Sequence, residues 1–274
     1  MMFTSFLNTL FLNIYSFFVG NRVGLVALGY YTQGDKWSKM FVSSLSQVVT
    51  STFLPVLSRV QHQPERYRRL TTKMNRATAY LVFPLAIGLI IEATPIFHAL
   101  FGSKWDSSII LFQLLLFRGI FTIFTSLYSN YLLALGHAKD IARLEMWRDG
   151  VALVGLAVTF PYMTISLPGN VVAGLEIMLW GQIVAAIFAW ALTLFYLHKK
   201  CSLSIVSLIG DYLPYIAITC LIGAMMLVCG HFVSNAFIAI VSETVIGAVG
   251  YLLMNCLSRS RIQADIIAYL RGRL

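Results

Sequence analysis

The chain has 274 residues, of which 58% are apolar and only 11% charged, with a mean hydropathy of +0.79. Soluble domains carry roughly 25% charged residues, so this balance excludes a disordered chain or an ordinary soluble domain and leaves a polytopic membrane protein. The net charge of +9 points to topology rather than to nucleic acid, because no basic run is interleaved with stacking aromatics and membrane proteins concentrate Lys and Arg in cytoplasmic loops.

A helical crossing needs roughly 20 apolar residues. The sequence predicts eight spans, at roughly 2–20, 38–58, 78–99, 108–134, 149–167, 172–197, 212–230 and 233–256. The apolar runs are long and lack the period-2 alternation of an outer-membrane barrel. Only helices then satisfy their own backbone in lipid, so the expected fold is an all-α polytopic membrane bundle.

The first span follows Met1-Met2-Phe3 directly, with no basic n-region and no small-residue cleavage site, so it does not resemble a signal peptide. One reading is that the chain begins in the middle of a longer protein. This span carries Asn8 and Asn13. Residues 21–37 form the one outer connection long enough for structure of its own. In the second span, Ser43, Gln47 and Thr50 share a helical stripe, with Ser44 and Ser51 beside it. Segment 61–76, with Pro64 followed by Glu65-Arg66-Tyr67-Arg68-Arg69-Leu70, predicts a short basic helix lying at the inner headgroups. The third span holds Glu92, the sixth Glu176 and the eighth Glu243. Spans seven and eight are otherwise apolar. Pro55, Pro84, Pro95 and Pro161 fall within spans or near their ends, where they permit kinks.

The fourth span carries Arg118, Thr122, Thr125, Ser126 and Ser129, which together form one continuous helical face. Arg118 lies about ten residues from the outer end, near 15 Å deep by the helical rise. A charge at that depth costs about 2.5–3.5 kcal/mol on insertion scales. It needs a carboxylate, carbonyls, water or an anionic ligand, and Glu92 and Glu176 are the candidate partners. Glu243 is a candidate proton site or bundle contact. Asn8, Asn13, Gln47, Thr122, Thr125 and Ser129 are the candidate polar path. Polar residues also glue helices together without any transport role, but three striped helices favour a water-filled or substrate-facing cavity.

Four regions separated by pairs of spans hold 15 of the 20 basic residues: 59–76, 139–148, 199–200 and 259–273. The positive-inside rule places them, and the C-terminus, in the cytoplasm. No catalytic Ser/His/Asp arrangement, metal-ligand spacing or phosphate loop appears. The four cysteines have no paired short spacing. No enzyme, cofactor or metal is expected.

Several segments carry a family resemblance. Leu28-Gly29-Tyr30-Tyr31 with Gly34-Asp35-Lys36-Trp37 is one; Pro55-Val56-Leu57-Ser58-Arg59 with Gln63-Pro64-Glu65-Arg66 is another. Phe101-Gly102 with Lys104-Trp105 follows, and then Arg118-Gly119-Ile120-Phe121, Leu127-Tyr128-Ser129-Asn130 and Ala134-Leu135-Gly136-His137-Ala138-Lys139-Asp140. In order and spacing these resemble bacterial polysaccharide or lipid-linked oligosaccharide flippases of the multidrug/oligosaccharidyl-lipid/polysaccharide exporter superfamily. The resemblance covers about residues 25–150; the rest agrees in span pattern.

That family has two lobes and typically fourteen helices. The resemblance implies that this chain is the C-terminal lobe, with the N-terminal lobe missing: a six-helix bundle over 1–197, two additional helices over 198–257 and a basic cytoplasmic tail over 258–274. The implied function is flipping of undecaprenyl-pyrophosphate-linked oligosaccharide (an O-antigen, capsule or exopolysaccharide repeat unit) from the inner to the outer leaflet of the bacterial inner membrane. The implied partners are that substrate, membrane lipids, a missing N-terminal lobe and other polysaccharide assembly proteins. The alternatives are an ion-coupled small-molecule or drug exporter of the same superfamily, which Glu92 and Glu243 favour, and a non-transporting scaffold remnant.

Overall fold

The structure, a computed structural model, describes residues 14–168, 170–201, 203–232, 236–258 and 260–270. Among these, the regular structure is helical. After α1 (14–22) come α2 (Leu25–Ser58), α3 (Pro64–Ile91), α4 (Ala93–Phe101), α5 (Asp106–Ala134) and α6 (Ala138–Thr159). Then follow α7 (Ala173–Cys201), α8 (Ile205–Gly210), α9 (Leu213–Phe232), α10 (Ala236–Leu257) and α11 (Arg261–Leu270). Six stretches among the described residues are long and apolar enough to cross a membrane: Leu25–Ser58, Pro64–Ile91, Ser103–Ala134, Ala173–Cys201, Ile205–Gly230 and Ile240–Leu257.

The two expected spans outside this set differ in kind. Most of 2–20 lies outside the described residues. The 149–167 span is displaced toward the N-terminus. Its helix, α6, starts at Ala138, just after Gly136 turns the chain with φ 80°, and stops at Thr159. Pro161 follows in a single 3-10 turn over Phe160–Tyr162, because proline supplies no amide to continue the α ladder. The N-terminal half of α6 carries Asp140, Arg143, Glu145, Arg148 and Asp149, and these charges keep it from being an apolar span on its own.

Three local expectations are also revised. The outer connection 21–37 is not separate structure. The chain turns at Gly24, where φ is 116°, and Leu25 already begins the 34-residue α2. Segment 61–76 is not a helix lying apart, since Pro64 occupies the first turn of α3 and its basic turns run unbroken into that span. Pro suits this position because the first helical amides lack intrahelical partners. Finally, the 78–99 span breaks at Glu92, between α3 and α4. Pro95 has no N–H to give the Ile91 carbonyl, so the ladder cannot run through.

Helix α5 is the buried axis of the bundle; Leu127, Tyr128, Tyr131 and Leu132 are fully enclosed. It runs parallel to α2, with Gly34 beside Ser108 and Phe112, and Gly119 beside Val42. A Cβ on Gly34 would stand 3.0 Å from the Phe112 nitrogen, so glycine here sets how closely the two backbones approach. Helices α6 and α7 close against the other side of α5. The α9–α10 hairpin packs instead on α3 and α4 through Ile218, Ile222, Met226 and Tyr251, against Tyr80 and Ile91.

Side-chain bonds bring the basic segments together at one end of the bundle. Tyr67 donates to the Tyr131 carbonyl at 2.6 Å, Lys200 pairs with buried Asp140 at 3.3 Å, and Arg76 pairs with buried Asp211 at 2.8 Å. Lys73 reaches Asp265 on α11 at 2.7 Å. The opposite end gathers aromatic rings, with Tyr30 against Trp105 and Trp37 against Phe101. Between the two ends, exposed apolar side chains such as Leu85, Val158, Val184, Phe188 and Leu221 present the belt that a lipid-facing helix bundle needs.

Candidate functional site

A cavity of about 480 Å³ opens between α1, α2, α5, α6 and α7. Its longest wall is the polar face of α5, where Arg118, Thr122, Thr125, Ser126 and Ser129 all line it, joined by Asn130. The helical offsets that set these side chains on one stripe thus aim them into one space. Thr122 and Thr125 donate their hydroxyl protons back to the Arg118 and Phe121 carbonyls, at 3.3 and 2.8 Å. Their lone pairs remain free to accept from a ligand.

Arg118 leaves the middle of α5, about 18 Å from its first residue by the helical rise. Its guanidinium donates to Oε1 of Gln182 on α7. Among the described residues no carboxylate pairs with it, so neither expected partner serves. Glu176 accepts from Asn170 Nδ2 at 2.7 Å. Glu92 is buried at the α3–α4 junction, beside buried Glu243 of α10. All three acids lie outside the cavity lining.

The far walls complete the site. Tyr15 of α1 lines it and donates to the Ala152 carbonyl at 3.1 Å. Asn130 Nδ2 donates to Thr50 Oγ1 at 3.0 Å, tying α5 to α2. From α6 come Glu145, Arg148 and Asp149, and the last two form an ion pair at 3.0 Å. From α7 come Gln182, Ala185, Ala186 and Ala189, spaced as one helical face. Buried Tyr31 of α2 stands beside Gln182 and within electrostatic reach of Arg118.

Of the polar path expected from the sequence, Arg118, Thr122, Thr125 and Ser129 meet in this cavity. Asn8 and Asn13 lie outside the described residues. Gln47 does not line it; it is exposed on the outer face of α2 with Ser43, Ser44 and Ser51. Gln182 and the α6 charges are site residues that sequence reasoning missed. The signal for Gln182 was legible, a lone amide on a stripe of alanines in an apolar span. The α6 charges were hidden because the span had been placed too late in the chain. Among the described residues, no cluster of three or more His, Cys, Asp or Glu could hold a metal ion.

A helical multi-pass membrane protein with a half-buried arginine in a hydroxyl-lined cavity is the class that fold and site define. Comparison with known proteins narrows it. Residues 1–110 match the family model described as "Polysaccharide biosynthesis protein". The chain is 29% identical over 161 residues to the teichuronic acid biosynthesis protein TuaB of Bacillus subtilis, covering 58% of this chain and 33% of that protein. It is 24% identical over 259 residues to the succinoglycan biosynthesis transport protein ExoT of Rhizobium meliloti, covering 93% and 50%. It is 23% identical over 275 residues to a membrane protein in the cps region of Klebsiella pneumoniae, covering 98% and 54%. These matches liken the chain to membrane proteins of polysaccharide biosynthesis and transport. The chain spans about half the length of the curated relatives it matches, or less. No solved structure matches it significantly.

Proposed function

We propose that the chain is the C-terminal lobe, with two additional helices, of a flippase that moves undecaprenyl-pyrophosphate-linked oligosaccharide from the inner to the outer leaflet of the bacterial inner membrane. In this reading residues 1–197 form the six-helix lobe, 198–257 the added pair and 258–274 a cytoplasmic tail. The eight spans leave both ends of the chain in the cytoplasm, with the basic end of the bundle facing inward. A first lobe, absent from this chain, would complete the path, since alternating access rocks one half against another around a shared site.

The observation that carries the reading is the cavity. The glycan is too polar for lipid, and its transfer needs a wet wall of hydrogen-bonding groups at membrane depth. The hydroxyls of α5 and the guanidinium of Arg118 supply that wall. The polyprenyl tail can remain in lipid throughout. Buried Glu92 and Glu243 are the observation favouring an ion-coupled exporter, but both lie away from the cavity.

The test is Arg118→Ala in the full-length protein of the native strain. Surface polysaccharide falls to background and the lipid-linked repeat unit accumulates inside, with protein abundance unchanged. Export at the normal level in this variant overturns the reading.

A further inference from the structure

A second cavity, of about 380 Å³, opens at the aromatic end of the bundle, between the α1–α2 turn and the segment 164–172. It shares no lining residue with the larger one. Tyr15 of α1 lines the larger cavity and Arg22 lines this one, about two turns further along the same helical face. Tyr30 lines it too, with its ring against Trp105, and such rings sit at headgroup level in a bilayer. The Arg22 guanidinium lies over the Phe160 ring, 5.4 Å from its centroid. Among the described residues it meets no carboxylate and no hydrogen-bond acceptor, and the hydroxyls of Tyr30, Thr164 and Ser166 beside it are equally unengaged. No Asp or Glu among the described residues lines the cavity. The rest of its wall is aliphatic, and exposed Val26 and Val171 carry that wall out to the surface. The loop side is held in place: the Gly174 amide donates to the Ile165 carbonyl at 2.9 Å, and Leu167 and Asn170 exchange backbone bonds at 3.0 and 2.9 Å.

We propose that this second cavity is a site for one membrane phospholipid, an anionic phosphodiester with a hydroxyl-bearing headgroup of the phosphatidylglycerol type. The site does not depend on what the larger cavity carries. Its chemistry is that of a lipid headgroup: a cation and hydroxyls at headgroup level, with an aliphatic wall that opens to the bilayer for the acyl chains. The planar guanidinium gives two parallel N–H bonds to a phosphate, and one such cation balances one phosphodiester charge. A lipid diphosphate brings further negative charge, and no second cation lines the cavity to meet it. A choline or ethanolamine headgroup instead brings a cation toward Arg22, with no carboxylate in the lining to receive it. Glycerol hydroxyls bond to Thr164 and Ser166, which both donate and accept. The seated lipid ties the α1–α2 turn to the 164–172 segment, and so braces the ends of helices that wall the larger cavity.

The site is tested on the full chain purified in detergent, with binding followed by the rise in unfolding temperature as lipid is added. The probes are short-chain phosphatidylglycerol, phosphatidylcholine and phosphatidylmethanol of equal acyl length, and geranyl diphosphate. Phosphatidylglycerol binds saturably, and phosphatidylcholine binds at least about tenfold more weakly, the loss expected for one charge-assisted contact. Arg22→Gln leaves the unfolding temperature of the lipid-free chain unchanged, because the side chain is exposed, and weakens phosphatidylglycerol by at least about tenfold. Arg22→Lys keeps the charge without the fork and binds with intermediate affinity. Lys104→Gln removes a cation near Trp105 that does not line the cavity, and binding is unchanged. Thr164→Val combined with Ser166→Ala erases the preference for phosphatidylglycerol over phosphatidylmethanol, which has the same charge and no headgroup hydroxyl. Equal binding of phosphatidylglycerol and phosphatidylcholine overturns the proposal, as does unchanged binding in Arg22→Gln or no saturable binding by the folded parent. An equal loss in Lys104→Gln shows a diffuse basic surface and also overturns it. Displacement of phosphatidylglycerol by equimolar geranyl diphosphate assigns the cavity to a lipid diphosphate instead, and the phospholipid site is lost.

Discussion

Helices α2 and α5 carry polar stripes of the same kind, serines and threonines at helical spacing in an apolar span, yet the fold treats them oppositely. The α5 stripe lines the cavity, half-buried except for exposed Thr122. The α2 stripe is turned outward, with Ser43, Ser44, Gln47 and Ser51 exposed. Three of its serines satisfy their hydroxyls on their own helix, Ser44 on the Met40 carbonyl at 2.7 Å, Ser43 on the same carbonyl at 3.3 Å and Ser51 on Val48 at 3.4 Å. Thr50 departs from its neighbours by accepting from Asn130 of α5. A polar stripe therefore announces that a helix face meets something other than lipid. It does not say whether that something is a cavity within the bundle or a surface beyond it.

The comparison is broken most forcefully by filling one stripe and not the other. Thr125→Phe puts a ring into the cavity, and export in the full-length protein falls to background. Ser51→Phe on the exposed face of α2 shifts the unfolding free energy of the purified chain by no more than about 0.5 kcal/mol, the range for surface changes away from special features. A shift as large as that of a core substitution would show that the α2 face is packed. Next in size is the seam that holds the two helices parallel. Gly34→Val drives side-chain atoms against the α5 backbone at Phe112 and destabilises the chain by about 1–3 kcal/mol, as overpacking does, measured by thermal unfolding in detergent. The smallest test concerns single hydroxyls. Thr50→Val removes the bond to Asn130 and costs about 0.6 kcal/mol, the average for interhelical bonds in membranes. Ser44→Ala, whose hydroxyl bonds only its own helix, gives a still smaller change, and equal losses would erase the distinction between the stripes.

The same contrast shows how far the sequence could be followed. Hydrophobic run length located six of the described spans because lipid demands about 20 apolar residues irrespective of what packs beside them. It failed at α6, where the cavity supplies polar surroundings for charges in the first half of the helix, so an apolar count starts too late. It also missed the break at Glu92, although Pro95 was in view, because a proline near a span end can either kink a helix or terminate it. The Arg118 site was half legible. A deep arginine had to have a partner, but the sequence offered carboxylates for that role, and the packing of α5 on α7 presents Gln182 instead.

By itself, the sequence determined that this is a helical membrane protein, that its basic segments share an end, and that one span carries an arginine at membrane depth above a ladder of hydroxyls. These follow from the solvent: lipid fixes span length, excludes unpaired backbone and makes each intramembrane charge conspicuous. Only the tertiary structure decided which stripe faces inward, that Gln182 holds Arg118, and that Glu92 and Glu243 meet each other away from the cavity. Those outcomes depend on helix rotation and on close approaches such as Gly34 against α5, and packing between helices sets them where the periodicity of a single helix cannot.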